Sequence, residues 1–152
     1  MPSDPARQPG RDLALLLSRA ERLMVARLSE LLASEDCSVD QWRVLSAVAD
    51  GAGHPMTAIA DYALMPAPSL TKLVDRMVAD NLVYRRADPG DRRRVLLYPA
   101  ARGRILYQRA ARRVAEDHAG VLAALGDRGD LAALLGLLAD VAGGGSRAGL
   151  RD

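Results

Sequence analysis

Residues 57–99 read TAIADYALMPAPSLTKLVDRMVADNLVYRRADPGDRRRVLLYP, and within this stretch the hydrophobic period changes from helical to extended. The segment AIADYAL, residues 58–64, is a short helix with Thr57 expected as its N-cap. Pro66-Ala67-Pro68-Ser69 opens the next helix, because proline is tolerated where the first amides of a helix lack partners anyway. That helix carries Leu70, Leu73, Val74 and Met77 on its core face and stops at Asn81, a residue that accepts the left-handed backbone. Two short helices joined by a tight link form a helix-turn-helix pattern. Beyond it, LVYRR and VLLY are β-rich runs on either side of ADPGDRR, whose Asp-Pro-Gly-Asp is turn chemistry, so residues 82–98 are expected as a two-stranded β-hairpin.

Outward from this centre the pattern is helical. Leu13, Leu16, Leu17, Ala20, Leu23, Met24, Leu28, Leu31 and Leu32 recur at spacings of three and four and mark a long helix over residues 12–34. Ser38 followed by Gln41 is a capping box for a second helix that turns Trp42, Leu45 and Val48 inward before Asp50-Gly51 ends it, and Gly51, Gly53 and Pro55 are expected in a loop. A further long helix starts near Ala100, and DLAALLGLLADVA makes a last one. That last helix is apolar around most of its circumference and must be covered on several sides. The first and last helices are therefore expected to form the shared core of a homodimer. The fold class that results is mainly α: a winged helix-turn-helix over residues 39–98, dimerisation helices over 12–34 and 100–142, a flexible arm over 1–11 and a flexible tail over 143–152.

Composition supports helix-on-helix packing. Hydrophobic residues make up 49% of the chain but aromatic ones only 3%, with no Phe, so Leu, Val and Ala must fill the core. No apolar run approaches the ~18 residues of a membrane span, and MPSDPARQPGRD lacks a signal-peptide core. A cytoplasmic protein with no membrane partner is expected. Cys37 is the single cysteine, which excludes an intramolecular disulfide and any multi-cysteine zinc module. Net charge is only +2, yet residues 85–94 hold five arginines against Asp88 and Asp91, a local +3. Arg92, Arg93 and Arg94 repel one another at the tip of a turn, an arrangement that calls for a polyanionic partner. A solvated turn is the plainer alternative.

The order of elements, together with IADYALMPAPSLTKLVDRMVADNLVYRRADPGDRRRVLLYPAARG, resembles the MarR family of bacterial transcriptional regulators. The resemblance rests on a scanning helix, a recognition helix ending in a Val-Asp-Arg-hydrophobic step, and a Leu-Val start to a wing bearing Asp-Arg-Arg. Where the family usually has Leu-Thr after the wing, this chain has Pro99-Ala100, and Asn81 stands where glycine is more usual.

What the resemblance implies is a homodimer that binds double-stranded DNA at an inverted repeat, represses transcription and responds to a small-molecule effector. On the recognition helix Pro68, Ser69, Thr71, Lys72 and Arg76 are the expected DNA-binding residues, with hydroxyls and Lys suited to base edges or phosphates in the major groove. Ser69 is equally suited to satisfying the helix end, and Arg76 to pairing with Asp75 or Asp80. In the wing, the family's Asp-x-Arg maps onto Asp91 orienting the guanidinium of Arg93 into the minor groove, with Arg92 and Arg94 on phosphates or balancing Asp88. Lipophilic acids act as effectors in the family. Met24, Trp42, Tyr62, Tyr107 and Arg109 are the candidate ligand-binding residues, although Met24 and Trp42 also fit a plain core role. Cys37 lies between helices and is expected to be structural rather than redox-sensing.

No enzymatic chemistry is expected. His54, His118, Cys37, Glu116 and Asp117 show no metal-binding spacing, and the chain has no nucleophile-base arrangement, Gly-rich phosphate loop or paired-carboxylate motif. No metal and no cofactor is implied. The rival to a DNA-binding regulator is a winged-helix module for protein interaction or RNA binding, whose hairpin would grip an acidic partner.

Overall fold

Asp12 starts the first helix by accepting the Leu15 amide at 3.1 Å, and α1 runs over Leu13–Ala33. The computed structural model describes residues 12–126 and 130–144, so the expected arm and all but the start of the expected tail lie outside the described residues. Ser38 and Gln41 close the expected capping box: the Ser38 hydroxyl accepts the Gln41 amide at 3.1 Å, and the Gln41 side chain accepts the Ser38 amide at 3.0 Å. Helix α2 follows over Val39–Val48.

The stretch expected as a loop contains a short strand. β1, His54–Pro55, pairs antiparallel with β3, Val95–Pro99, which pairs on its other side with β2, Val83–Ala87. The sheet therefore has three strands in the order β1-β3-β2, one more than the hairpin predicted. Two residues are too few to show a period, and their pairing is set by the free edge of β3. Gly53 makes the approach feasible: its φ is 82°, and the Tyr98 ring fills the space a side chain there would need.

Helix α3, Met56–Ala63, begins directly after β1 with Pro55 as its N-cap and no side-chain cap bond. Thr57 consequently lies inside the first turn rather than at the cap, because the sheet fixes the extended backbone of Pro55 and the helix starts two residues earlier than expected. Leu64 closes α3 with φ 54° and ψ 43°, and α4 runs over Ala67–Ala79 with Leu70, Leu73, Val74 and Met77 buried, the core face expected from their spacing.

The exit from α4 decides where the hairpin points. Asn81 takes φ 56°, and the Leu82 amide donates to the Met77 carbonyl at 2.9 Å, which closes the helix and launches β2. The Leu82 carbonyl then accepts the Ala100 amide at 3.0 Å at the start of α5, Ala101–Leu125. Gly103 passes so close that a Cβ there would overlap the Leu82 carbonyl oxygen.

The chain divides into two compact units, residues 1–115 and 116–152, with the division inside α5. The first unit holds one core in which Leu32, Val44, Leu45, Ile59, Met77 and Leu97 are almost wholly buried. In the same unit α1 buries only Leu32, while Leu13, Leu15, Leu16 and Leu23 stay exposed. In the second unit α6, Leu131–Ala142, has no buried residue, and Leu134, Leu137 and Val141 are exposed.

Gly103→Ala is expected to destabilise the protein by about 2–3 kcal/mol, as forced overpacking does, since the obstacle is backbone and cannot rotate away. Thermal or urea unfolding checks this, and an unchanged midpoint would contradict the close packing of α5 on Leu82.

Candidate nucleic-acid interface

Burying Leu70, Leu73, Val74 and Met77 turns the rest of α4 to solvent. Pro68, Ser69, Thr71, Lys72, Asp75 and Arg76 are all exposed. Thr71 spends its hydroxyl proton on the Ala67 carbonyl at 3.0 Å, so toward a ligand it offers lone pairs and a methyl group. Asp75 accepts from Arg85 of β2 at 2.6 Å. Neither Asp75 nor Asp80 pairs with Arg76, and the Arg76 and Lys72 cations have no carboxylate partner among the described residues.

The hairpin tip is built by its carboxylates. Asp88 accepts the Gly90 amide at 2.9 Å, and the Asp88 amide donates to the Arg94 carbonyl at 2.8 Å. Asp91 accepts the backbone amide of Arg93 at 3.1 Å. This differs from the expected Asp91–Arg93 pairing: the carboxylate shapes the turn through the amide instead of orienting the guanidinium. An Asp two residues before an N–H is well placed for such a turn, and the local bond forms before any side-chain pairing is needed. Arg92, Arg93 and Arg94 are exposed, and none of their guanidinium groups is paired with a carboxylate among the described residues. Three uncompensated cations thus project from a turn held by backbone bonds.

The candidate effector residues spread over several places. Trp42 of α2 and Tyr107 of α5 stack with ring centroids 5.1 Å apart and 18° between planes. Beside them Leu45, Pro99, Gly103, Arg104 and Tyr107 line a cavity of about 110 Å³. Arg109 lines a different cavity of about 260 Å³, together with Glu35, Asp80 and Arg102. Met24 and Tyr62 line neither cavity and are exposed on α1 and α3.

Arg109 is held by Glu35, a residue the sequence did not single out. Arg109 Nε donates to Glu35 Oε2 at 2.8 Å, Arg113 Nε reaches Oε1 at 2.9 Å, and the carboxylate side chain is only 7% exposed. The Arg109 hydrogen bond and the charges of Arg109 and Arg113 outweigh desolvation and hold the Glu35 carboxyl below its ordinary value of 4.5. Its partners lie 74 and 78 positions away in the chain, too far for any local spacing to reveal them. Cys37, next to this cluster, is buried and donates weakly to the Ser38 carbonyl at 3.5 Å. Burial, reinforced by the Glu35 charge, pushes its thiol up to about 11, so almost none is thiolate near neutral pH, as suits a structural cysteine.

The MarR family model matches residues 36–94, which span α2, the helix-turn-helix and the hairpin up to Arg94. The HTH-type transcriptional regulator FarR of Neisseria gonorrhoeae is 28% identical over 126 residues, covering 83% of this chain and 86% of that protein. Across its helix-turn-helix and hairpin the chain is similar to the MarR family. Two solved structures are similar to the chain over almost their whole length. NadR in complex with 4-hydroxyphenylacetate superposes with a TM-score of 0.76 at 27% identity, covering 93% of this chain and 98% of NadR. The transcriptional repressor CouR bound to a 23-mer DNA duplex gives a TM-score of 0.72 at 28% identity, covering 86% of this chain and 92% of CouR. Among the described residues no helix is long and apolar enough to cross a membrane. No three His, Cys, Asp or Glu side chains among them gather as metal ligands.

Because the folded Glu35 carboxyl titrates below its ordinary 4.5, its stabilisation is complete above that pH and fades as pH falls through the folded value. Glu35→Gln should therefore be less stable than the parent at pH 7, with the gap closing as the pH is lowered through the folded carboxyl's depressed range. Urea unfolding across that range checks the sign, and a gap that widened in acid would contradict it.

Proposed function

We propose that the protein is a ligand-responsive repressor whose dimer grips an inverted repeat in DNA, with α4 in the major groove and the hairpin tip on the flanking backbone. The observation that carries this reading is the set of three exposed arginines at the tip, uncompensated by any carboxylate among the described residues. Duplex DNA supplies the dense negative charge they lack, and neutralising its phosphates releases counterions. Arg93 at the apex reaches into the minor groove while Arg92 and Arg94 hold phosphates. On α4, Pro68 and Ser69 approach the backbone at the helix start, and Thr71, Lys72 and Arg76 face the base edges.

A second copy of the chain supplies the cover that α1 and α6 each lack, since rows of exposed leucines of this extent mark an association surface. Domain organisation follows from it: one winged helix-turn-helix body carried on dimerisation helices. The effector is an aromatic or other lipophilic acid, a class supported by the 4-hydroxyphenylacetate held by NadR. It lies where the Trp42–Tyr107 stack meets Arg104, at which a ring finds aromatic faces and a carboxylate finds a guanidinium. It releases DNA by favouring a dimer whose recognition helices no longer match the ~34 Å repeat of the groove.

Selection from a random-sequence duplex pool with the wild-type protein yields the DNA needed for a test. Arg93→Ala should weaken binding to that duplex and reduce the slope of log affinity against log salt by about one phosphate equivalent. Unchanged affinity and slope in Arg93→Ala would remove the wing from the interface.

A further inference from the structure

Of the five arginines in residues 85–94, one is not free. Arg85 Nη2 donates to Asp75 Oδ1 at 2.6 Å, which ties the middle of β2 to the third turn of α4. The bond spans ten residues of sequence and bridges the Asn81–Leu82 exit from the helix. Arg85 is directly opposite Leu97 in the sheet, and Leu97 is fully buried, so the arginine stem lies along the edge of the core and its side chain is only 34% exposed. Asp75 sits one turn beyond Thr71 on the exposed face of α4, between Lys72 and Arg76. An unpaired carboxylate at that place would repel phosphates. Paired with Arg85, it presents a neutralised dipole.

We infer that Asp75 and Arg85 are positioning residues that brace the hairpin against the recognition helix, and that neither contacts DNA. This rests on the DNA-binding reading above. The physical reason is geometric. A rigid duplex must meet the helix and the hairpin tip at once, and the hairpin leaves the body on two strands with one short additional strand at its far edge. β2 is the outer strand of the sheet, with only β3 beside it. The Asp75–Arg85 bond supplies the lateral tie that its open edge lacks. The bond also sorts the basic cluster by role: Arg85 acts as a strut, and Arg92, Arg93 and Arg94 remain for the anion.

The test is a double-mutant cycle with Asp75→Asn and Arg85→Gln in the full-length protein, measured on the duplex selected by the wild-type protein. If wild type selects no duplex, the DNA-binding reading fails and the brace falls with it; a selected duplex leaves the brace to be judged on the variants alone. Each single variant should bind roughly three- to tenfold more weakly, and the double variant no more weakly than either single one. The salt slope should stay at its wild-type value in all three, because no phosphate contact is lost. The further readout is coupling to the tip: in the Asp75→Asn background, Arg93→Ala should cost less than it does in wild type, since a hairpin already misplaced has less to lose. Arg85→Lys, which keeps a donor on a similar stem, should recover part of the affinity. Circular dichroism and unfolding midpoints separate a bracing effect from loss of fold. Tighter binding by Asp75→Asn with a steeper salt slope would overturn the proposal, because it would mean that Asp75 restrains an Arg85 that otherwise binds phosphate. Additive losses in the double variant would overturn it as well.

Discussion

The carbonyl of Leu82 accepts the Ala100 amide at 3.0 Å while the backbone of Gly103 lies against it, and at this junction three parts of the molecule converge. The recognition helix ends there through the left-handed Asn81, the hairpin begins, and α5 arrives. Arg102 adds a second tie, donating from α5 to the carbonyl of Asp80 at 2.9 Å. A displacement of α5 is therefore transmitted to the end of α4 through backbone contacts, which deform less readily than side chains. The same helix carries Tyr107 to the Trp42 stack, so the proposed effector site lies on an element already coupled to the end of α4.

Charge divides along the same line. Arg85, Arg102, Arg109 and Arg113 are committed to partners within the first unit: Asp75, the Asp80 carbonyl, and Glu35 for the last two. Their work is structural, and most of it is invisible in net charge. Arg92, Arg93 and Arg94 are the converse case, since the carboxylates nearest to them in sequence, Asp88 and Asp91, are occupied with backbone amides. A turn built in this way keeps its shape without neutralising its own cations, which is the electrostatic condition for holding an anion.

Much of this was legible in the sequence because it is local. The Ser38–Gln41 capping box, the Asn81 helix end and the core face of α4 each depend on residues within a few positions of one another, and each is found where the spacing puts it. What escaped depends on distant partners. The strand at His54–Pro55 exists only because β3 has a free edge, and its presence moved the start of α3 ahead of Thr57. The Glu35 clamp and the Asp75–Arg85 bond join residues of different segments, which no period within a single helix or strand relates. Asp91 was expected to orient the Arg93 guanidinium, whereas its carboxylate takes the Arg93 backbone amide, a local turn bond that the Asp-x-Arg spacing allows equally well. Of the candidate effector residues, Trp42 and Tyr107 are brought face to face in the fold.

The central claim is that two copies of this chain place paired recognition helices and paired hairpin tips on one duplex. Hydroxyl-radical footprinting of wild-type protein on its selected duplex tests it most directly. A pattern with two-fold symmetry is expected: two protected half-sites centred about one helical turn apart, each flanked by a further protected minor-groove segment that disappears when Arg92, Arg93 and Arg94 are all replaced by Ala. A single, unsymmetrical patch of protection, or flanking protection that survives the triple replacement, would contradict it.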